Sequence, residues 1–263
     1  MTPPHGAREN ITDILCIGCQ KGSTSWLHSV LMTHPGVHAF PDMSPVTSTN
    51  KEAHFWDWNH HRGIDWYRDL MRSQDPSKLT MDFTPEYALL QDSQIAECKA
   101  LNPTARVIYI VRDPLARAVS AIRMHMLWRL GKDHDEPLRL DEQLYFFARN
   151  ARLTLHGDYV RAINAWRRHY PDLIVLNYEE FHTDRAGSVT RIFDMLGLDM
   201  GRIEGRGRTD FDRLMKGRVW ASEQFAIDRA ALMFLHGLTW PFRKAAEEQL
   251  GMRFAEGERL LQG

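Results

Sequence analysis

Cysteine is scarce in this sequence. Cys16, Cys19 and Cys98 are odd in number, and the single C-x-x-C pair sits in an apolar run with no second pair or histidine spacing to complete a zinc site. A reducing compartment, the cytoplasm, is the expected home. An excess of charge is also missing: 33 Lys and Arg face 34 Asp and Glu, for a net charge of −1. No global field exists to draw in DNA, RNA or an anionic membrane, so neither nucleic-acid nor membrane partners are expected. Any anionic ligand must be captured by a local cluster. No apolar run approaches the ~18 residues needed to cross a bilayer. The segment 1–10 holds two prolines, a glycine and charges, and reads as a short tail rather than a signal peptide. Internal repeats, low-complexity tracts and long Pro/Gly/Ser hinges are absent as well, which leaves no boundary between two folding units.

What remains is an ordinary globular composition, 43% hydrophobic and 25% charged over 263 residues. That is enough chain to bury one substantial core. The expected organisation is a tail over residues 1–11 and one domain over 12–263. Asp13 to Gly18 is an almost continuously apolar run ending at glycine, the pattern of a strand buried on both faces of a parallel sheet. From Thr24, the residues Trp26, Leu27, Val30 and Leu31 fall at helical spacing until His34-Pro35-Gly36 stops them. Ala105–Val111 is a second strand, followed by a helix through Leu115, Ala118, Val119, Ile122 and Met126. Asp113 can cap that helix and Pro114 suits its first turn. Leu173–Asn177 is a third strand, preceded by an amphipathic segment over 159–170 and followed by a helix from Val189 to Leu196 closed by Gly197. Alternation of this kind predicts an α/β fold, a central parallel sheet flanked by helices.

The loop between the first strand and its helix is Gly18-Cys19-Gln20-Lys21-Gly22-Ser23-Thr24-Ser25-Trp26. A glycine-bearing loop feeding a helix amino terminus aims backbone N–H groups and the positive end of the helix dipole at one spot, where an anion can sit. Lys21, Ser23, Thr24 and Ser25 add side-chain donors. The Walker pattern fails, because the lysine precedes the second glycine instead of following it. Arg112 leaves the second strand at its carboxyl end, in the usual ligand crevice of open α/β sheets, and its guanidinium suits bidentate pairing with phosphate. Ser120, seven residues beyond Asp113, shares a helix face with it. If Lys51–Trp56 is extended, Glu52 and His54 point to one side. No cluster of carboxylates suggests a divalent metal.

With these pieces in view, the sequence resembles the sulfotransferases that use 3′-phosphoadenosine 5′-phosphosulfate (PAPS), and within them the heparan-sulfate-type branch. Gln20-Lys21-Gly22-Ser23-Thr24-Ser25-Trp26 is similar to the 5′-phosphosulfate loop of that family, a P-loop-like strand–loop–helix. Arg112 to Ser120 resembles its 3′-phosphate motif. Lys51-Glu52-Ala53-His54-Phe55-Trp56, with Gly63 to Tyr67, resembles the segment carrying the catalytic glutamate. Thr84-Pro85-Glu86-Tyr87 is similar to its T-P-x-Y turn, and Lys216-Gly217-Arg218 to a late cofactor loop. The five motifs stand in the family's order across residues 13 to 218. Two departures are visible: Ser23 stands where many relatives have glycine, and Phe83 stands where heparan enzymes carry a lysine near the acceptor.

The resemblance implies PAPS as co-substrate and PAP, adenosine 3′,5′-bisphosphate, as product. It implies cofactor contacts from Gln20, Lys21, Gly22, Ser23, Thr24, Ser25, Trp26, Arg112, Ser120, Lys216, Gly217 and Arg218. Lys21 would answer charge on the leaving phosphate, Glu52 would be the general base, and His54 would orient it or the acceptor. His60 and His61 are read as rim residues, and Tyr178 to Phe181 as a strand end shaping the crevice. Trp56, Trp58, Trp66, Met124, Met126 and Trp128 are candidates for an acceptor wall, the acceptor being a hydroxyl or amine of a small molecule, glycan or natural product. Two other readings compete, a P-loop nucleotide kinase and a nucleotide-binding module without catalysis. Oligomeric state is not legible.

Overall fold

The computed structural model describes residues 9–131, 137–217 and 226–262. Five parallel strands form one sheet: β1 (Ile14–Cys16), β2 (Val37–His38), β3 (Leu79–Asp82), β4 (Arg106–Val111) and β5 (Ile174–Asn177), in the order β2-β3-β1-β4-β5. Leu15 is in register with Asp82 on one side and Val107 on the other. The three strands expected from sequence are β1, β4 and β5. The two that the pattern does not reveal are two and four residues long, and β3 carries Thr80 and Asp82, both fully buried polar residues.

Alternate side chains divide the core. Leu15, Ile17, Val107, Tyr109 and Val111 face a cluster completed by Tyr159, Ile163 and Trp166 from the helix Tyr159–Arg167. Ile14, Cys16, Ile108 and Ile110 face the other side, against Leu27, Val30 and Leu31 of the helix Thr24–Leu31 and Val189, Ile192 and Phe193 of the helix Arg185–Leu196. Both sheet faces are thus covered, which is why these strands read as continuous apolar runs. A third cluster joins the helix Pro114–Leu130 to Glu142–Ala148 and Arg229–Leu250 through Ile122, Met126, Phe147 and Leu235.

The caps follow the sequence. Asp113 Oδ1 accepts from the amides of Leu115 at 2.8 Å and Ala116 at 3.1 Å, with Pro114 in the first turn. Gly197 ends Arg185–Leu196 in the left-handed region. Ile11 donates to the Leu101 carbonyl and Asn10 pairs with Thr104. All three cysteines are buried and unbonded to one another. Among the described residues no helix is long and apolar enough to cross a membrane.

Candidate functional site

After β1, Ile17 and Cys19 continue to hydrogen-bond β4, through the carbonyls of Ile108 and Ile110, before the chain turns into the helix Thr24–Leu31. The turn leaves no room for side chains at two glycines. A Cβ on Gly18 would stand 2.6 Å from the Tyr109 ring, at a φ of +150°, and one on Gly22 would stand 2.9 Å from Cys19 Sγ. Lys21 and Ser23 themselves occupy the left-handed region, at φ 66° and 69°. Serine therefore does adopt the backbone that many relatives assign to glycine, at a cost of about 1–2 kcal/mol of backbone strain. The amides of Thr24, Ser25 and Trp26 form the first turn, whose donors a helix cannot satisfy internally. A loop strained around open N–H donors fits the pyrophosphate-like part of PAPS.

Lys21 reaches from this loop to the helix Pro114–Leu130. Its ammonium lies 3.8 Å from Met124 Sδ. Burial, then the charges of Arg112 and Lys51, hold its pKa below the ordinary lysine value. Lys21 thus stands within the field of two further cations, each of which is paired with a carboxylate, Arg112 with Glu256 and Lys51 with Glu52.

Arg112 continues from β4 and stacks on Tyr178, its guanidinium carbon 4.3 Å from the ring centroid. It does not present a free fork, contrary to the sequence expectation. Nη1 donates to the Lys21 carbonyl at 2.8 Å, and Nε and Nη2 donate to Glu256 Oε2 and Oε1 at 2.8 and 2.5 Å. Glu256 lies 144 residues away, so no local pattern announces it. Ser120 is buried, and its hydroxyl has no hydrogen-bond partner among the described residues. An orphaned buried hydroxyl on this helix fits a ligand oxygen.

The segment 51–56 is not extended. Glu52 bridges Ser48, and His54 then turns left-handed, at φ 51°, into a single π-helical turn, Phe55–Asn59. That kink still brings the expected pair together: His54 Nε2 is 3.3 Å from Glu52 Oε2. Lys51 Nζ pairs with Glu52 in a short contact. Nδ1 of His54 is 2.8 Å from Asp57 Oδ2, and the imidazole lies flat on the Trp58 indole, 3.4 Å between centroids. Burial opposes the charged form of His54, but the hydrogen bonds with Asp57 and Glu52 outweigh it and raise its pKa to about 9. Burial likewise works against the Glu52 carboxylate and is outweighed by Lys51 and His54, which hold its pKa below the usual range. Asp82 seats this segment. Fully buried, it accepts from the Ala53 amide, Thr84 Oγ1, Tyr67 and Tyr87 at 2.6 to 3.1 Å, while Thr84 Oγ1 takes the His54 amide.

Other expected residues divide. Gln20 reaches Glu86 at 3.5 Å, and Glu86 is bound in turn by Arg152 and His156. Trp26 is wedged between Phe181 and Arg185, its indole donating to Leu214. Arg185 also donates to the carbonyls of Met215 and Gly217, fastening the end of the helix Gly205–Lys216 beside the first loop; Lys216 itself is exposed. Arg218 lies outside the described residues. His60 and His61 are exposed, His60 pairing with Glu97 at 2.8 Å. The acceptor wall is corrected: Trp56 and Met126 are core, Trp66 packs against it, and Met124, Trp58 and Trp128 remain at or near the surface. Sequence reasoning missed Asp57, Asp82, Arg185 and Glu256, whose partners are set by folding; only the T-P-x-Y context pointed toward Asp82.

The geometry defines an α/β protein with a strained, lysine-bearing strand–loop–helix at the carboxyl edge of its sheet and a hydrogen-bonded Glu52–His54–Asp57 chain. Comparison with known proteins names the class. Residues 11–216 match the sulfotransferase domain, and the chain belongs to that family. It is 32% identical to mouse heparan sulfate glucosamine 3-O-sulfotransferase 3B1 over 273 aligned positions, covering 94% of this chain and 65% of that protein. The chain thus spans just under two-thirds of the length of this curated relative. The fold is similar to a sulfotransferase from Alicyclobacillus acidocaldarius, with a TM-score of 0.67 at 17% identity, over 96% of this chain and 100% of that one. It is also similar to the sulfotransferase domain of the curacin biosynthetic pathway, with a TM-score of 0.53 at 14% identity, over 92% and 98% of the two chains.

Proposed function

We propose that residues 12–263 form one enzyme domain that transfers the sulfuryl group of PAPS to a hydroxyl or amine of a small-molecule, glycan or natural-product acceptor in the cytoplasm. The observation that carries the reading is the strand–loop–helix after β1, where Arg112 donates to the Lys21 carbonyl at 2.8 Å and Lys21 stands partly buried within the field of Arg112 and Lys51. The three buried thiols support a reducing compartment.

The residues that would hold the co-substrate are the Gln20–Trp26 loop at the 5′ end and Arg112 and Ser120 at the 3′-phosphate, with Lys216, Gly217 and Arg218 along the late loop. When bound, PAPS supplies a sulfuryl group on a phosphate leaving group. Lys21 would contribute an ammonium to the leaving phosphate, an electrostatic role. Glu52 takes the acceptor proton. Its ionised state at neutral pH comes from Lys51 and His54, and the same two groups aim it. His54, charged at neutral pH, is an orienting cation here and not a base. Trp58 and Met124 lie beside these groups and would contact the acceptor.

The test is thermal denaturation with PAP in the absence of magnesium against ATP plus magnesium, followed by sulfate transfer from PAPS over an acceptor panel. PAP should raise Tm, since a ligand that binds only the native state stabilises it by mass action. A larger shift with magnesium–ATP would favour the kinase reading, and PAP binding with no transfer to any acceptor would favour a binding module.

A further inference from the structure

Arg112, the residue assigned above to the 3′-phosphate, already holds an anion. Glu256 at the start of the helix Glu256–Gln262 meets it in a fork-to-fork pair, the geometry in which a guanidinium also binds phosphate. With a third N–H on the Lys21 carbonyl, two of the five donors of Arg112 are left. The carboxylate is placed there by a built seat. Glu179 Oε1 accepts the amides of Ala255 and Glu256, both at 2.8 Å. Gly257 rests on Asp113 so closely that a Cβ would collide with its carboxylate. Arg243 clamps the same segment through Asp113, the Phe254 carbonyl and Glu258. The Glu256 side chain keeps 24% of its exposure, so solvent and ligand can reach it, whereas that of Arg112 keeps 9%.

We infer that Glu256 is a built-in competitor at the cofactor site: its carboxylate stands in for the 3′-phosphate on Arg112, and a nucleotide must displace it to place a 3′-phosphate there. This rests on the sulfotransferase reading of the site. A dianionic phosphate outcompetes a monoanionic carboxylate for the guanidinium, and two such anions cannot share it without repulsion. A nucleotide phosphorylated only at the 5′ end gains nothing at Arg112 and leaves the pair closed. The affinity for PAP is therefore lowered by the fraction of protein in which Arg112 is engaged.

The experiment is calorimetric titration of PAP and of adenosine 5′-monophosphate into the wild-type chain and the variants Glu256→Gln, Glu256→Asp and Glu258→Gln. Because Glu179 and Arg243 hold the segment through other atoms, the Glu256 variants should keep their Tm within a few degrees. Glu256→Gln should tighten PAP roughly tenfold and leave the monophosphate within about twofold. Glu256→Asp, one methylene too short for the two-point contact, should fall between, and it serves if the glutamine variant fails to fold. Glu258→Gln, which touches Arg243 and not Arg112, should match wild type. Weaker PAP binding in Glu256→Gln, or equal gains for both nucleotides, would overturn the inference while leaving the sulfotransferase reading standing. PAP binding seen only in the Glu256 variants would support it in its extreme form. Absence of PAP binding in every variant would remove the sulfotransferase reading and this inference with it.

Discussion

Arg112 Nη1 donates to the carbonyl of Lys21 at 2.8 Å, tying the end of β4 to the loop after β1 across 91 residues of sequence. The cation of one anion-binding motif thereby fixes the backbone of the other. The two parts of the proposed cofactor site are one mechanical unit, and the consequences can be measured at several of its residues.

Glu52→Gln should keep PAP affinity and lose turnover. Glutamine preserves size and accepts a hydrogen bond but takes no proton at neutral pH. Removal of a general base costs about 10²–10⁴ in rate. Single-turnover transfer, with PAP titration on the same samples, reads both quantities. Near-normal turnover would mean that Glu52 is not the base.

Ser120→Ala should separate binding from stability. The hydroxyl has no partner among the described residues, so its loss removes a buried polar group without breaking a hydrogen bond there and should leave Tm unchanged or slightly higher. A hydrogen bond to a charged phosphate is worth about 1.5–3 kcal/mol, so PAP should bind roughly ten to a hundredfold more weakly. Unchanged affinity in calorimetry would take Ser120 out of the 3′-phosphate site.

His54 should make stability fall as pH rises. Its pKa is about 9 in the folded protein and 6.5 without partners. A raised pKa gives stability that is complete below 6.5 and is lost as pH climbs through 9, amounting to roughly 3 kcal/mol. Urea denaturation of wild type between pH 6 and pH 10, in about one-unit steps, should show this decline, and His54→Gln should flatten it. A wild-type curve as flat as the variant's would mean that His54 is neutral in the fold.

Two glycine substitutions should move in opposite directions. Gly18→Ala forces a Cβ against the Tyr109 ring at a φ that alanine rarely adopts, and should cost about 1–3 kcal/mol. Gly237→Ala lies within the helix Arg229–Leu250, with nothing within 4 Å of the new methyl, and should gain about 0.5–1 kcal/mol. Thermal denaturation of the two variants reads the contrast; equal shifts would mean that the loop after β1 is looser than described.

The sequence by itself determined the sheet centre, the caps at Asp113 and Gly197, and the residues proposed to hold an anion. Each of these is written locally: a continuous apolar run for β1 and β4, Asp113 before Pro114, glycines and a lysine in one short loop. It also placed Glu52 and His54 together, though through a wrong backbone, since alternation along a strand and a left-handed kink at His54 bring the same two side chains to one side. Only the tertiary structure decided who partners them. Asp82 reads as a polar interruption until it is seen beneath Thr84 and Ala53, and Trp56 and Met126 read as ligand-facing until the core closes over them. Glu256 is one acidic residue among 34 Asp and Glu in the chain. Its meeting with Arg112 depends on how helices at the far end of the chain pack back onto the carboxyl edge of β4, and such long-range pairing leaves no periodicity or spacing in the sequence, because neither partner constrains the residues next to the other.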